Sequence, residues 1–197
     1  MVQKSAYEEE IISERSCSLC GQKLTEFGNK TLKDGILCRD CVKKASPWLE
    51  DEDYEKRSID QMREHLSYRQ ENLKQLDHFL CNRKVEGKYS LYLDDENGRF
   101  MISKRKDPVK DNADLFEYRD LVRMSIIQEN QEEGIGDLFF EIHLDQKEID
   151  HLSFRVNEFP GLDIHSEEYK EAERVAFAYL DALNHKNVDE VQQEDEQ

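Results

Sequence analysis

The chain has 197 residues, a formal net charge of −17, and hydrophobic and charged residues at 37% each. Such a length accommodates one ordinary domain and a smaller one. The negative charge argues against a simple nucleic-acid-binding protein, because phosphate contacts need clustered lysines and arginines. No apolar run approaches the ~18 residues of a membrane span, and the N-terminus lacks the apolar stretch of a signal peptide. We therefore expect a cytoplasmic protein whose cysteines stay reduced.

Four cysteines lie near the start of the chain. They follow an acidic segment (1–14), which we expect to be disordered or to form a short helix. The pairs Cys17/Cys20 and Cys38/Cys41 each have Cys-x2-Cys spacing, as expected of a structural zinc site. Two such knuckles can complete a tetrahedron of thiolates around Zn²⁺. Because the protein then fills all four positions, the sequence predicts a structural rather than a catalytic ion.

The residues around the cysteine pairs predict a small zinc module over 15–46. Asp34-Gly35 is a turn signal, and Ile36-Leu37 predicts a strand that leads into the second pair. A helix that begins near Cys38 would give a treble clef, whereas a strand there would give a zinc ribbon; the sequence slightly favours the treble clef. So few residues bury too little surface to fold alone, and metal binding should therefore supply the folding free energy.

A helical connector is predicted over residues 47–83, after a boundary at Ser46-Pro47. Ser58, with Gln61 three residues on, fits a capping box. An amphipathic pattern with spacings of three and four follows. Its members are Ile59, Met62, Leu66, Arg69, Leu73, Leu76 and Leu80. The stripe either packs on the chain's own domain or forms a dimerising coiled coil from Ser58 to Leu80, with Arg69 setting the register.

An antiparallel β-rich domain is predicted over residues 84–186, because the period of the apolar residues changes there from helical to two. The alternating positions include Leu91, Leu93, Leu138, Phe140, Ile142, Leu144, Leu152, Phe154 and Val156. They predict at least five strands, each with one face to bury.

A final helix should follow the strands, with Ser166 as its N-cap. Its apolar stripe consists of Tyr169, Ala172, Ala176, Tyr179 and Leu183. A sheet that closes on itself with this helix at its end would be a pleckstrin-homology-like barrel, and the predicted fold class is α+β. The acidic tail, 187–197, predicts disorder.

Several short stretches carry a family resemblance. They are Cys17-x2-Cys20-Gly21, Leu32-Lys-Asp-Gly-Ile-Leu-Cys38-x2-Cys41, Lys44-x-Ser46-Pro47 and Tyr68-Arg69-Gln70-Glu71-Asn72. Through them the chain resembles a bacterial domain-of-unknown-function family, number 4428. The resemblance implies a metal-binding module of unassigned activity, followed by a helix and a strand-rich region.

The sequence has no Gly-rich phosphate loop, no G-x-S-x-G and no H-E-x-x-H. The fifth cysteine, Cys81, has no partner at motif spacing, and we expect it to be a buried or idle thiol. The histidines show no ligand spacing, and we expect them all at surface or edge positions. They are His65, His78, His143, His151, His165 and His185. We therefore predict that the protein is not an enzyme and has no catalytic residues.

The function predicted from the sequence is a non-enzymatic protein-interaction or adaptor protein with a structural zinc site. A protein partner is expected, and a homodimer through the Ser58–Leu80 helix is an additional prediction. Nucleic-acid binding by the zinc module, through Lys43 and Lys44, is one alternative. Another is an acidic inhibitor that mimics nucleic acid and blocks a DNA-binding protein.

Overall fold

The computed structural model describes residues 16–104, 113–132 and 134–194. Its contacts divide the chain into an N-terminal unit, Met1–Asn72, and a C-terminal unit, Leu73–Gln197. The predicted acidic segment over 1–14 lies outside the described residues. Within the described ranges, none of the helices combines the length and the hydropathy that crossing a lipid bilayer demands.

The N-terminal unit is built from short elements and one longer helix. An antiparallel hairpin pairs β1 (Lys30–Thr31) with β2 (Ile36–Leu37). Three helices follow, α1 (Arg39–Val42), α2 (Asp51–Lys56) and α3 (Ile59–Gln75). A helix therefore begins at the second cysteine pair, as in the treble-clef alternative.

The core of the N-terminal unit surrounds the cysteines and reaches well beyond residue 46. Leu37, Tyr54 and Met62 are at most 3% exposed and belong to one buried cluster with Cys17, Cys38 and Cys41. Ile59 and Leu66 pack against the same cluster. Part of the apolar stripe of α3 thus packs against the core of its own unit. Dimerisation through this helix stays a prediction. The predicted domain boundaries also stay predictions.

The start of α3 has the predicted capping box. The backbone N–H of Gln61 donates to Ser58 Oγ (3.2 Å), and the backbone N–H of Ser58 donates to Gln61 Oε1 (2.8 Å). The helix ends at Gln75 rather than at Leu80, and a 3₁₀ turn, Leu76–His78, follows it. The backbone N–H of Leu80 instead donates to the carboxylate of Asp94 (2.9 Å), which ties the chain to the first sheet of the C-terminal unit.

The C-terminal unit contains two antiparallel sheets and one long helix. The first sheet has the order β3-β4-β5-β6, formed by Arg83–Val85, Ser90–Asp94, Arg99–Ser103 and Leu115–Glu117. A 3₁₀ turn, Tyr118–Asp120, leads to β7. In the second sheet β8 pairs with β7, β9 and β10. These strands are β7 (Leu121–Glu132), β8 (Ile135–Leu144), β9 (His151–Arg155) and β10 (Leu162–Asp163), and α4 (Glu167–Glu194) follows them.

The apolar alternation on β8 and β9 is confirmed. Phe140, Ile142 and Leu152 are fully buried, and Phe154 is 4% exposed. The ring of Tyr179, on α4, meets Phe140 and Phe154 edge to face, with ring centroids 5.5 and 5.9 Å apart. The predicted apolar stripe of α4 therefore covers this face of the sheet. The helix also begins at its predicted N-cap, where the backbone N–H of Tyr169 donates to Ser166 Oγ (3.1 Å).

The expectations for the C-terminal unit are met only in part. The sheets are two open sheets, so the pleckstrin-homology-like barrel is not confirmed. On β4, four consecutive residues from Leu91 to Asp94 are buried rather than every second one. The final helix runs to Glu194, and residues 187–194 contain neither glycine nor proline to stop it; disorder of the acidic tail stays a prediction. Residues 195–197 lie outside the described part of the chain.

Candidate metal centre

The four predicted ligands, Cys17, Cys20, Cys38 and Cys41, lie together. Their sulfur atoms are all within 4.8 Å of one another. The Sγ atoms of Cys17 and Cys41 are 3.8 Å apart, and those of Cys20 and Cys38 are 3.6 Å apart. A tetrahedral ion with Zn–S bonds of about 2.3 Å separates its sulfur ligands by roughly 3.8 Å. The four cysteines are not joined in disulfides and have the spacing of a metal-binding cluster.

The first knuckle is shaped by its backbone. Gly21 adopts a positive φ of 73°, a conformation that costs residues with a Cβ more. This turn lets the N–H of Gly21 donate to the carbonyl of Cys17 (2.9 Å), while the N–H of Cys17 donates to the carbonyl of Gln22 (2.8 Å). The local hydrogen bonds therefore aim Cys17 and Cys20 at one point.

The hairpin joins the two cysteine pairs. Between them, the N–H of Ser18 donates to the carbonyl of Ile36 (2.8 Å), and the N–H of Ile36 donates to Ser18 Oγ (3.0 Å). A Cβ on Gly35 would lie 2.5 Å from Ser18 Oγ and 2.8 Å from Ile59 Cδ1. Glycine is thus required here because the first knuckle and the start of α3 both approach the turn.

The second knuckle opens α1. Cys38 is the N-cap residue, in an extended conformation, and its carbonyl accepts from the backbone N–H groups of Cys41 and Val42, both at 3.0 Å. This turn brings Cys41 back to the side of Cys38. Cys38 and Cys41 are each 3% exposed, whereas Cys20 is exposed. The cluster therefore lies at the edge of the core, with one ligand facing solvent.

The cysteines differ in how readily they ionise without a cation. Burial raises the pKa of Cys17, but hydrogen bonds from the backbone of Cys20, Cys38 and Leu19 outweigh it and lower this pKa from 9.0 to about 6. Burial and hydrogen bonds with the other cysteines raise the pKa of Cys41 far above 9.0. Thiolates this close repel one another, so a divalent cation is what would allow all of them to be ionised together.

The donor set fits a metal ion. Four thiolates suit soft or borderline ions, and a tetrahedral set of four sulfurs is typical of zinc or iron. The protein would supply every ligand, so the ion would hold the knuckles together without an open position for substrate.

The cysteine region is similar to a known protein family. Residues 16–65 match the family described as "Domain of unknown function (DUF4428)". The predicted resemblance is thereby confirmed over this segment, which holds all four cysteines and is about a quarter of the 197-residue chain. The residues quoted from Tyr68 to Asn72 and the strand-rich region lie beyond the match. No curated protein and no solved structure matches the chain.

The prediction for the histidines is wrong for His65. His65 is fully buried, and its Nε2 accepts from the backbone N–H of Ser46 (3.1 Å). His143 and His151, together with Glu141, form a second group of side chains close enough to share an ion. Ligand spacing along the chain could not reveal this group, since only the strand register places His143 opposite His151. Cys81 is an exposed free thiol, distant in sequence from the four ligands.

Proposed function

We propose that the protein is a non-enzymatic interaction protein, stabilised by zinc at its cysteine cluster, whose C-terminal unit binds a basic segment of a protein partner. The observation that carries the proposal is an acidic cleft of about 660 Å³ in the C-terminal unit. The first turns of α4 form one wall, and the residues before β4 and after β9 form the others. The lining includes Glu86, Lys88, Val156, Asn157, Glu158, Glu167, Glu168, Glu171, Ala172, Arg174 and Val175.

Charge favours a basic occupant. Five glutamates face one lysine and one arginine among the lining residues, and two of the glutamates, Glu86 and Glu167, also pair with Lys84 and Lys170 from outside the lining. Arg174 is already paired with Glu167 (3.7 Å) and Glu171. Lys88 donates to the carbonyl of Asn157 (3.2 Å), and its burial lowers its pKa. Glu158 and Glu168 are exposed and offer carboxylates to an incoming lysine or arginine, whose charge complementarity would steer association.

The rest of the lining suits the stems of such side chains. Val156, Ala172 and Val175 give an apolar surface beside the glutamates, and lysine and arginine bury their methylenes on apolar surface while the charge stays in water. The wall formed by Asn157 is held in place: its side chain donates to Asp137 Oδ1 and accepts from the N–H of Leu138, both at 2.8 Å. A cleft fixed in this way loses little conformational entropy on binding.

The test is binding of fluorescent lysine- and arginine-rich peptides to the zinc-loaded full chain, measured by anisotropy. The double variant Glu158→Lys/Glu168→Lys should weaken binding by at least about tenfold, because two favourable charge contacts become repulsive. The matched control, Glu96→Lys/Asp145→Lys, makes the same change of charge at exposed positions outside the cleft and should bind normally. Equal weakening by both variants, or no binding of basic peptides, would refute the cleft as the site.

The same experiment separates the other two functions predicted from the sequence. Nucleic acid in place of the peptides tests binding by the zinc module, which should be sensitive to salt and to Lys43→Glu with Lys44→Glu. Binding of a basic DNA-binding protein that DNA competes away, with both double variants affected alike, would favour mimicry of nucleic acid.

We also propose the finer features of the fold and location. A four-stranded meander, a second antiparallel set of three consecutive strands and a C-terminal helix support a pleckstrin-homology-like arrangement of the C-terminal unit. Nuclear Overhauser contacts between the ends of β3 and the second sheet would test whether the sheets close into a barrel.

The proposed location is the cytoplasm, because four thiolates stay reduced only in a reducing compartment. Fractionation of the cell, followed by zinc analysis, would test that placement.

A further inference from the structure

Three polar side chains meet on strands β8 and β9, in the C-terminal unit. In the strand register His143 lies directly opposite His151, and Glu141 precedes His143 by two residues on the same strand. Residues two apart on a strand point to the same face. The imidazole rings are stacked, with centroids 4.6 Å apart and an interplanar angle of 25°. One potential ligand atom from each of the three residues lies within 4.8 Å of the others.

The group lies on the outer face of its sheet. Ile142, Leu144 and Leu152, which alternate with the three residues, are at most 5% exposed and point into the core. His151 is exposed, and Glu141 and His143 are half-buried. An ion can therefore reach the group from solvent, and a substitution there leaves the apolar core untouched.

A neighbouring arginine contacts one of the two histidines. Arg123, across from His143 in the pairing of β7 with β8, brings a guanidinium nitrogen to 3.0 Å from His143 Nε2. A guanidinium can only donate hydrogen bonds, so this ring nitrogen accepts and carries its lone pair. The same lone pair is the one through which this nitrogen would bind a metal ion. Arg123 also competes with an ion for that lone pair and repels its charge.

We propose that Glu141, His143 and His151 form a second metal site, separate from the cysteine cluster, for a divalent transition-metal ion such as Zn²⁺ or Ni²⁺. Two imidazoles and a carboxylate are typical ligands of such ions, whereas Mg²⁺ and Ca²⁺ prefer oxygen alone. A tetrahedral ion such as Zn²⁺ at about 2.1 Å keeps its ligands roughly 3.4 Å apart, so the three side chains, whose ligand atoms lie within 4.8 Å of one another, would rotate inward to close the site. Three protein ligands leave one position for water or for a ligand from a partner.

The experiment titrates Ni²⁺ into the tag-free full chain with zinc already bound at the cysteines. Histidine ring resonances are followed by NMR, and binding is measured by calorimetry. The rings of His143 and His151 should broaden first. His143→Ala and His151→Ala should each weaken Ni²⁺ binding by at least about tenfold, since even residues that only support a ligand change metal affinity by that factor. The control His165→Ala removes another exposed histidine and should bind Ni²⁺ as the unaltered chain does.

A second variant distinguishes loss of ligands from damage to the fold. Arg123→Gln should strengthen Ni²⁺ binding by about twofold or more, the equivalent of one weak competing hydrogen bond; misfolding cannot produce this gain. Broadening of other histidines first, or full affinity in His143→Ala and His151→Ala, would overturn the proposal. Unchanged or weaker binding in Arg123→Gln would overturn the arrangement in which the ion takes Nε2 of His143.

Discussion

The two units of this protein solve the problem of a stable core in different ways. The strands of the N-terminal unit have two residues each, and its first two helices have four and six. Three cysteines are part of its buried cluster. The C-terminal unit instead has strands of up to twelve residues and a helix of 28, with Phe100, Phe116, Phe140, Tyr169 and Tyr179 among its fully buried side chains.

This difference indicates which interactions supply the folding free energy of each unit. Short elements make few backbone hydrogen bonds and bury little apolar surface, so we expect an ion bound by the four cysteines to supply the missing free energy. Long paired strands covered by an amphipathic helix bury enough aromatic surface to do without one. Stability of the N-terminal unit should therefore depend on metal, and stability of the C-terminal unit on packing.

The largest expected effect comes from removing the metal. A strong zinc chelator, or Cys17→Ser with Cys41→Ser, should unfold the N-terminal unit, because structural zinc contributes about 10–16 kcal/mol of apparent binding free energy in small modules. The single tryptophan, Trp48, lies in this unit, and its emission should shift to the red. NMR signals from Leu73 onwards should persist.

The matched control for this prediction is Cys81→Ser, which removes an exposed thiol and should leave Trp48 emission and zinc content unchanged. A Trp48 environment that survives chelation would contradict a metal-dependent N-terminal unit. Loss of both units together would show that the contrast between them is wrong.

The next effect is loss of packing in the C-terminal unit. Phe140 is fully buried between Phe154 and Tyr179, and Phe140→Ala should cost about 3–5 kcal/mol. Urea denaturation followed by circular dichroism measures this loss. Phe177→Ala, at a position 61% exposed, should change stability by less than about 0.5 kcal/mol. Zinc content should be normal in both variants, and a Phe140→Ala protein that lost zinc would break the comparison.

A buried carboxylate predicts a dependence on pH in the C-terminal unit. Burial by itself raises the pKa of Asp94, but hydrogen bonds from Leu80 and Asn97 and the charge of Arg99 outweigh it and lower the pKa below 3.8. A depressed folded-state pKa gives stability that is complete above the unfolded-state pKa of about 3.9 and is lost as the pH falls through the folded-state pKa.

Asp94→Asn should remove this loss at acid pH. At neutral pH it should cost about 1–3 kcal/mol, because an amide nitrogen then faces hydrogen-bond donors. Urea denaturation at pH 7 and between pH 4 and 2.5 measures both effects. Glu96→Gln, at an exposed neighbouring position, is the control and should behave as the unaltered chain. If the Asp94→Asn protein lost as much stability at acid pH as the unaltered chain, Asp94 would not be the source of the pH dependence.

The smallest effect compares one helix cap in each unit. Ser58→Ala and Ser166→Ala each remove an Oγ that accepts from a backbone N–H of the first turn, at a cost of about 0.5–2 kcal/mol. Thermal unfolding is measured with and without zinc. Ser166→Ala should lower the unfolding temperature under both conditions, whereas Ser58→Ala should lower it only when zinc is bound. Ser166→Thr, which keeps the hydroxyl, should restore most of the loss. A Ser58→Ala cost of equal size in both conditions would weaken the contrast.

Local patterns were sufficient for much of this structure. The spacing of Cys17, Cys20, Cys38 and Cys41 predicts their cluster, since each pair is closed by its own turn. Ser58 and Ser166 predict the starts of two helices through hydrogen bonds within one turn. The alternation of Phe140, Ile142 and Leu144 predicts a buried strand face, because side chains alternate with period two whatever the strand pairs with.

The sequence by itself thus determined the cysteine cluster, two helix caps and the change from a helical to a strand-rich region, because each depends on residues close together in the chain. Only the tertiary structure decided that His65 is buried, that α3 yields to a turn where Leu80 meets Asp94, and that the cleft collects five glutamates. It also decided that His143 faces His151 beside Glu141. Those features arise from pairing and packing between distant segments, and the free energy of such contacts cannot be read from spacing alone.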